Sequence, residues 1–174
     1  MAGMTSVLNS VQIRRLIGRT PPLVSAYIDL DRQLQPAGLD LTLRQVAVFA
    51  NGGKVTRDNK NRQVSDLEPL QFDAGGYLSL ASGPYMITYN EAVNLPLNIM
   101  ALALPRSSLL RSGVTVHTAV WDPGYAGRAQ SLLNVINPAG FILERNAAVV
   151  QLVFFNLDTV PQGYQGGYQG ENLE

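Results

Sequence analysis

The close spacing of turn signals limits the fold of this chain more than any other feature. From Gly76 onward the runs GYLSLAS, PYMITY, IMALAL, VTVHTAVW, SLLNVIN, FILE and VVQLVFFNL are separated by Gly, Pro, Asn or Asp. Short runs bounded in this way read as strands, and the rhythm is all-β. The earlier chain behaves alike: LVSAYID and LTLRQVAVFA flank Gln35-Pro36-Ala37-Gly38, and Asn51-Gly52-Gly53 closes the second. Thr, Val and Phe are frequent there and no helical period is sustained.

Four stretches break the rhythm. Asn9 or Ser10 is placed to cap a short helix in which Val11, Ile13, Leu16 and Ile17 recur at helical spacing before Gly18 ends it. Residues 54–68 are charged and polar, which predicts an exposed loop or weak hairpin without chemistry. PRSSLLRSG, from Pro105 to Gly113, is too polar for a core strand and predicts one short helix near 106–112. Residues 159–174 repeat Tyr-Gln-Gly and offer nothing to bury, so the expected organisation is one domain over 1–158 and a flexible tail over 159–174.

Composition narrows the function. With 174 residues, 46% apolar and only 15% charged, the chain can bury a core, and its low charge points to surface covered by oligomer contacts. A net charge of zero argues against nucleic-acid binding through a broad basic field. The basic residues are nearly all Arg, whose planar fork suits phosphate, which favours a localised anion site. There is no Cys and one His, so thiolate chemistry and a zinc site are disfavoured. No apolar run approaches the ~20 residues of a membrane span, and the N-terminus lacks a signal-like pattern, which predicts a cytoplasmic protein without membrane contact.

The candidate chemistry centres on AVWDPGYAG. Between Ala74 and Leu143 the acidic residues are Glu91 and Asp122 alone, so general-base candidates are few. Pro123 and Gly124 turn the chain directly after Asp122 and present its carboxylate at a strand end; an ordinary Asp-Pro-Gly turn is the competing reading. In PRSSLLRSG, Ser107 and Ser108 supply hydroxyls and N–H groups at a helix start bracketed by Arg106 and Arg111, a set that suits phosphate. Asp40, just after a turn signal, is placed either as a turn residue or to order a hydrated Mg²⁺. Tyr125 is either a core aromatic or a surface for a sugar, and spacing leaves both open. Gln151 interrupts VVQLVFF, and a buried amide there needs a ligand or a subunit interface as partner. His117 alternates with apolar residues and is more economically a structural or interface histidine than a catalyst.

PAGLDLT, LPRSSLLRSGV, AVWDPGYAG and VVQLVFF, in this order, resemble four motifs of the dUTPase and dCTP deaminase superfamily, and QIRRLI with QLQPAGLDL resembles its deaminase-like branch. The similarity runs from about residue 7 to 171. It implies a β-clip, a distorted jelly-roll-like barrel, assembled as a homotrimer with active sites at subunit interfaces. Position by position, it implies Asp40 holding Mg²⁺ through water and Arg106, Ser107, Ser108 and Arg111 binding phosphate, with Gln151 contacting phosphate and Asp122 activating the water. Tyr125 would carry the deoxyribose, and the hairpin from Val116 to Ala119, which includes His117 and Thr118, would read the base through its backbone.

In the deaminase branch that the chain resembles, deamination requires a glutamate in the strand after the motif that DPGYAG matches. Counting back from Asn137 lands on Asn134 and counting forward from Asp122 lands on Leu132, and neither side chain is an acid or base. The resemblance therefore implies a dUTP diphosphatase yielding dUMP and pyrophosphate, with dCTP deaminase, a bifunctional enzyme and a non-catalytic nucleotide-binding trimer as rivals. Glu144 is the carboxylate to consider if deamination occurred. Gly166-Gly167-Tyr168 resembles a closing motif in which Tyr168 stacks over uracil, but the Arg and Lys of the related tails are replaced by Gly163 and Gly167.

Overall fold

Asn9 begins the first regular packing unit. A computed structural model describes residues 6–58 and 60–173. After β1 (Ser6–Val7), the Asn9 side chain accepts from the Gln12 N–H and the Gln12 side chain accepts from the Asn9 N–H, a reciprocal cap that starts α1 (Ser10–Ile17). Ile13 and Ile17 turn into the core and Gly18 ends the helix, as expected, while Val11 faces solvent.

LVSAYID departs from the predicted single strand. Only β2 (Val24–Ser25) forms; Ala26 then takes φ +57, and Asp29 caps a further helix, α2 (Leu30–Gln33), by accepting from the N–H groups of Asp31 and Arg32. A local carboxylate-to-backbone bond outcompetes strand pairing here. β3 (Leu34–Gln35) turns through Pro36-Ala37 into β4 (Gly38–Phe49).

The long strand β4 organises the fold. The remaining strands are β5 (Leu67–Pro69), β6 (Tyr77–Leu80), β7 (Gly83–Tyr89), β8 (Ala92–Asn94), β9 (Ile99–Pro105), β10 (Val114–His117), β11 (Ala126–Gly127), β12 (Gln130–Val135), β13 (Phe141–Glu144) and β14 (Ala148–Asn156), with α3 (Ser107–Arg111) between β9 and β10. The first half of β4 pairs with β14 and the second half with β7, and its register with β7 shifts between Leu43 and Gln45. An irregularity of this kind bends a strand, so β4 carries the antiparallel sheet from one layer to the other, in the order β1-β14-β4-β7-β12-β10. The result is the curled, mostly β architecture expected from the sequence. Its core includes the fully buried Leu39, Leu41, Ile87, Leu133, Leu152 and Phe154, and each such side chain contributes roughly 1.5–3 kcal/mol of burial.

One expected strand shortens. VTVHTAVW pairs as a strand only to His117, after which the chain leaves the ladder and touches it again at an isolated bridge from Trp121 to Ala101. Within residues 54–68 the anticipated weak hairpin is held by a Lys54–Gln63 bridge, and Leu67 and Glu68 already belong to β5, paired with β4. Among the described residues no helix is long and apolar enough to cross a membrane.

Candidate functional site

Asp40 and Arg106 form the first of two clusters. The Asp40 side chain is 2% exposed and lies at the β4 position opposite Gln151 of β14. Arg106, in extended conformation ahead of α3, reaches over to form an ion pair with it, and Gln35 donates to the same oxygen at 3.1 Å. A guanidinium beside a buried carboxylate offsets the cost of burying that charge. Gly38 is required at the rim, because a Cβ there would lie 2.5 Å from the Leu152 carbonyl and 2.9 Å from the Gln151 amide nitrogen. Ser107, Ser108 and Arg111 follow on α3, all exposed. Arg106, Ser107, Ser108, Gln151 and Asp40 are thus brought together, with cationic and hydroxyl donors facing outward, a set suited to an anion.

Asp122 belongs to the second cluster. The turn predicted for Asp-Pro-Gly is present: Gly124 has φ +84 and the Tyr125 N–H donates to the Asp122 carbonyl at 3.1 Å. Beside it opens a cavity of about 820 Å³ whose wall includes His117, Trp121, Asp122, Tyr125, Leu132 and Tyr168. Asp122 is exposed to this space, with no hydrogen bond or ion pair to its carboxylate among the described residues. Thr118 is not part of the wall; its hydroxyl donates to the Ala103 carbonyl at 3.3 Å.

Tyr125 is 5% exposed, and its hydroxyl donates to Glu171 at 2.9 Å. Tyr164 packs edge-on against it, with centroids 5.6 Å apart at 77°. Burial pushes the Tyr125 hydroxyl pKa well up, and the Glu171 carboxylate adds to the effect. Burial also raises Glu171, while the hydrogen bond from Tyr125 opposes that shift. Glu171 lines the cavity as a second carboxylate, one that sequence reasoning passed over because its tail has no apolar pattern.

The polar loop also departs from expectation. Lys54, Val55, Gln63, Val64 and Ser65 form one side of the cavity, and the Arg62 guanidinium lies 5.3 Å from the centre of the Tyr168 ring. Its polarity marked solvent exposure correctly, but the fold of the weak hairpin over β10 and β12 was not legible locally. Of the two candidates for the deaminase position, Leu132 lines the cavity and Asn134, two positions further along β12, does not; Glu144 is absent from it too, on β13 and paired with Tyr77.

The two clusters do not share a cavity: Asp40, Arg106, Ser107, Ser108, Arg111 and Gln151 are absent from the wall that holds Asp122. One offers donors suited to an anion, the other a partly aromatic space with an accessible carboxylate.

A family model described as dCTP deaminase-like matches residues 7–157. The "Probable deoxyuridine 5'-triphosphate nucleotidohydrolase" of Methanosarcina mazei is 48% identical over 168 residues, which cover 96% of this chain and 98% of the relative. The deoxyuridine 5'-triphosphate nucleotidohydrolase of Methanocaldococcus jannaschii is 32% identical over 141 residues, 80% of this chain and 89% of the relative. Among solved structures, 2'-deoxycytidine 5'-triphosphate deaminase from Agrobacterium tumefaciens has a similar fold, with a TM-score of 0.66 and 25% identity over 88% of this chain, which spans 50% of that longer one.

Proposed function

The chain belongs to the dCTP deaminase-like family, and on that premise we propose that it is a dUTP diphosphatase, hydrolysing dUTP to dUMP and pyrophosphate. The observation that carries this choice within the family is the cavity wall itself, where Asp122 offers an accessible carboxylate and where Leu132, one of the two candidates for the deaminase position, is neither acid nor base. Asp122 takes a proton from water as the water oxygen attacks the α-phosphorus. The bond from that phosphorus to the α–β bridging oxygen breaks, pyrophosphate leaves, and the proton passes from Asp122 to solvent.

The other roles follow from placement. Tyr125 packs under the deoxyribose, the backbone from Val116 to Ala119 reads the uracil edge, and Tyr168 covers the base. Arg106, Ser107, Ser108, Arg111 and Gln151 hold the phosphates. Because they lie apart from the Asp122 cavity, the complete site requires a second copy of the chain, and a homotrimer with interface sites satisfies this. Exposed Leu102 and Leu104 on β9 support that reading as surface for a subunit to cover.

Among the described residues no cluster of three or more His, Cys, Asp or Glu could hold a metal ion outright. The donors instead suit a hydrated Mg²⁺ brought with the phosphates, since Asp40 lends charge beside the phosphate turn while its Oδ2 remains engaged by Arg106 and Gln35. When bound, Mg²⁺ would offset charge building on the leaving pyrophosphate. A cytoplasmic location completes the reading.

One assay tests it: incubation with dUTP or dCTP and Mg²⁺, with separate detection of dUMP, dCMP, dUTP and pyrophosphate. Release of dUMP and pyrophosphate from dUTP is expected; dUTP formed from dCTP, or no turnover of either, overturns the assignment. Sedimentation at micromolar concentration is expected to give a trimer, and a stable monomer contradicts the shared site.

A further inference from the structure

The tail carries an interaction that the reaction as described does not use. Residues 163–172 lie along Pro123 to Arg128 of the same chain as a strap. The Tyr164 N–H donates to the Pro123 carbonyl at 2.8 Å and the Gly170 N–H to the Ala126 carbonyl at 2.7 Å, while the Arg128 N–H donates to the Glu171 carbonyl at 2.9 Å. The Gln169 side chain accepts from the Ala126 N–H and donates to the Gly124 carbonyl. Asn172 donates through its side chain to the Arg128 carbonyl and accepts at its own carbonyl from Arg128 Nε. These bonds seat the strap in one register, and that register delivers the Glu171 carboxylate to the Tyr125 hydroxyl.

Gly127 makes the pairing possible. A Cβ on it would fall 2.7 Å from the Tyr125 hydroxyl oxygen and 3.3 Å from Glu171 Cγ. A buried hydroxyl deprived of its acceptor would lose a hydrogen bond or move the ring to find another. The ring is part of the cavity wall, three positions from Asp122, so such a movement changes the surface offered to the sugar.

We propose that Glu171 is a positioning residue that fixes the Tyr125 ring through its hydroxyl and thereby sets the discrimination between deoxyribo- and ribonucleotides. This rests on the dUTP-hydrolysing reading for its substrate, though not for the hydrogen bond itself. The strap acts on the cavity of its own chain, so the effect is intramolecular.

The test is a double-mutant cycle of Glu171→Ala and Tyr125→Phe, with Glu171→Gln as the conservative variant. Steady-state kinetics with dUTP and UTP should show Glu171→Ala raising KM for dUTP and lowering the dUTP/UTP selectivity by roughly three- to tenfold, with a smaller change in kcat. Glu171→Gln retains an acceptor oxygen and should stay within about twofold of the parent. In the Tyr125→Phe background the Ala substitution should have no further effect on selectivity, because the donor is gone. Equal effects of Glu171→Ala in both backgrounds, or unchanged selectivity, overturn the proposal.

An inactive parent would sink the dUTP-hydrolysing reading alone. The cycle is therefore also read by melting temperature and by calorimetric affinity for dUMP and UMP, neither of which needs turnover. Coupling between the two substitutions in these measurements supports the positioning role, and its absence from both refutes it.

Discussion

Gly124 and Gly163 face one another with no room for a side chain between them. A Cβ on Gly124 would lie 2.7 Å from the Gly163 Cα, and one on Gly163 would lie 3.0 Å from the Gly124 Cα and 2.8 Å from a Leu97 methyl. The contact is where the strap first meets the Asp122 turn. Gly163→Ala is expected to cost about 1–3 kcal/mol of docking through overcrowding, a shift of roughly 5- to 150-fold in the docking equilibrium. Amide exchange at Tyr164 and Gly170 should accelerate accordingly while exchange in β4 and β14 stays unchanged; unchanged exchange at the strap would show that the contact is not limiting.

Asp122→Asn keeps the turn, since Asn suits that position nearly as well as Asp, but it cannot accept the proton. Turnover of dUTP should fall by roughly 10² to 10⁴, with melting temperature and affinity for a non-hydrolysable dUTP analogue retained. Turnover within a few-fold of the parent means that Asp122 is a turn residue and the catalytic assignment is wrong.

Leu132 faces His117 across the β10–β12 ladder and lines the cavity. An isobutyl side chain shuttles no proton, so dCTP should release no ammonia with this protein. Ammonia release measured by a coupled assay would require another group at the base, and Glu171 is the carboxylate whose place in the cavity would make it the first suspect.

Glu91 is 1% exposed and accepts from Gln33 Nε2, the Thr42 N–H and the Thr42 hydroxyl at 2.7, 2.8 and 2.6 Å. Burial raises its pKa above the usual carboxylate value, with the hydrogen bonds pulling the other way. Between the unfolded pKa and the higher folded one, the native state keeps a proton that the unfolded chain has released. Stability from this group is therefore fully present below the unfolded pKa and falls as pH rises through the folded pKa. Glu91→Gln should remove that slope and cost about 1–3 kcal/mol at neutral pH, because an amide cannot accept from all three donors. Urea unfolding from about pH 4 to 8 measures both; an unaltered slope would assign the pH dependence elsewhere.

Much of this protein was legible in its sequence wherever a few neighbouring residues decide the outcome. Alternating apolar runs and turn residues specified most of the strands, Asn9 and Gln12 specified a cap, and Asp122-Pro123-Gly124 specified a turn, because φ preferences and backbone capping act over a few positions. Local reading failed at LVSAYID, where Asp29 chose a helical turn over pairing, a competition between two short-range bonds of similar strength. Motif resemblance named candidate residues but did not say which of them share a space. Leu132 and Asn134 share one face of β12, two positions apart, and only the folded chain decides where along that face the cavity sits, so that Leu132 lines it and Asn134 does not. The polar 54–68 loop and the glycine-rich tail carry no periodicity, so only the folded chain could place Lys54 in a cavity wall and Glu171 on Tyr125. The tail's position is decided by backbone groups of Pro123 to Arg128 that pair with it, and hydrogen-bonding capacity of that kind is presented only once the rest of the chain has folded.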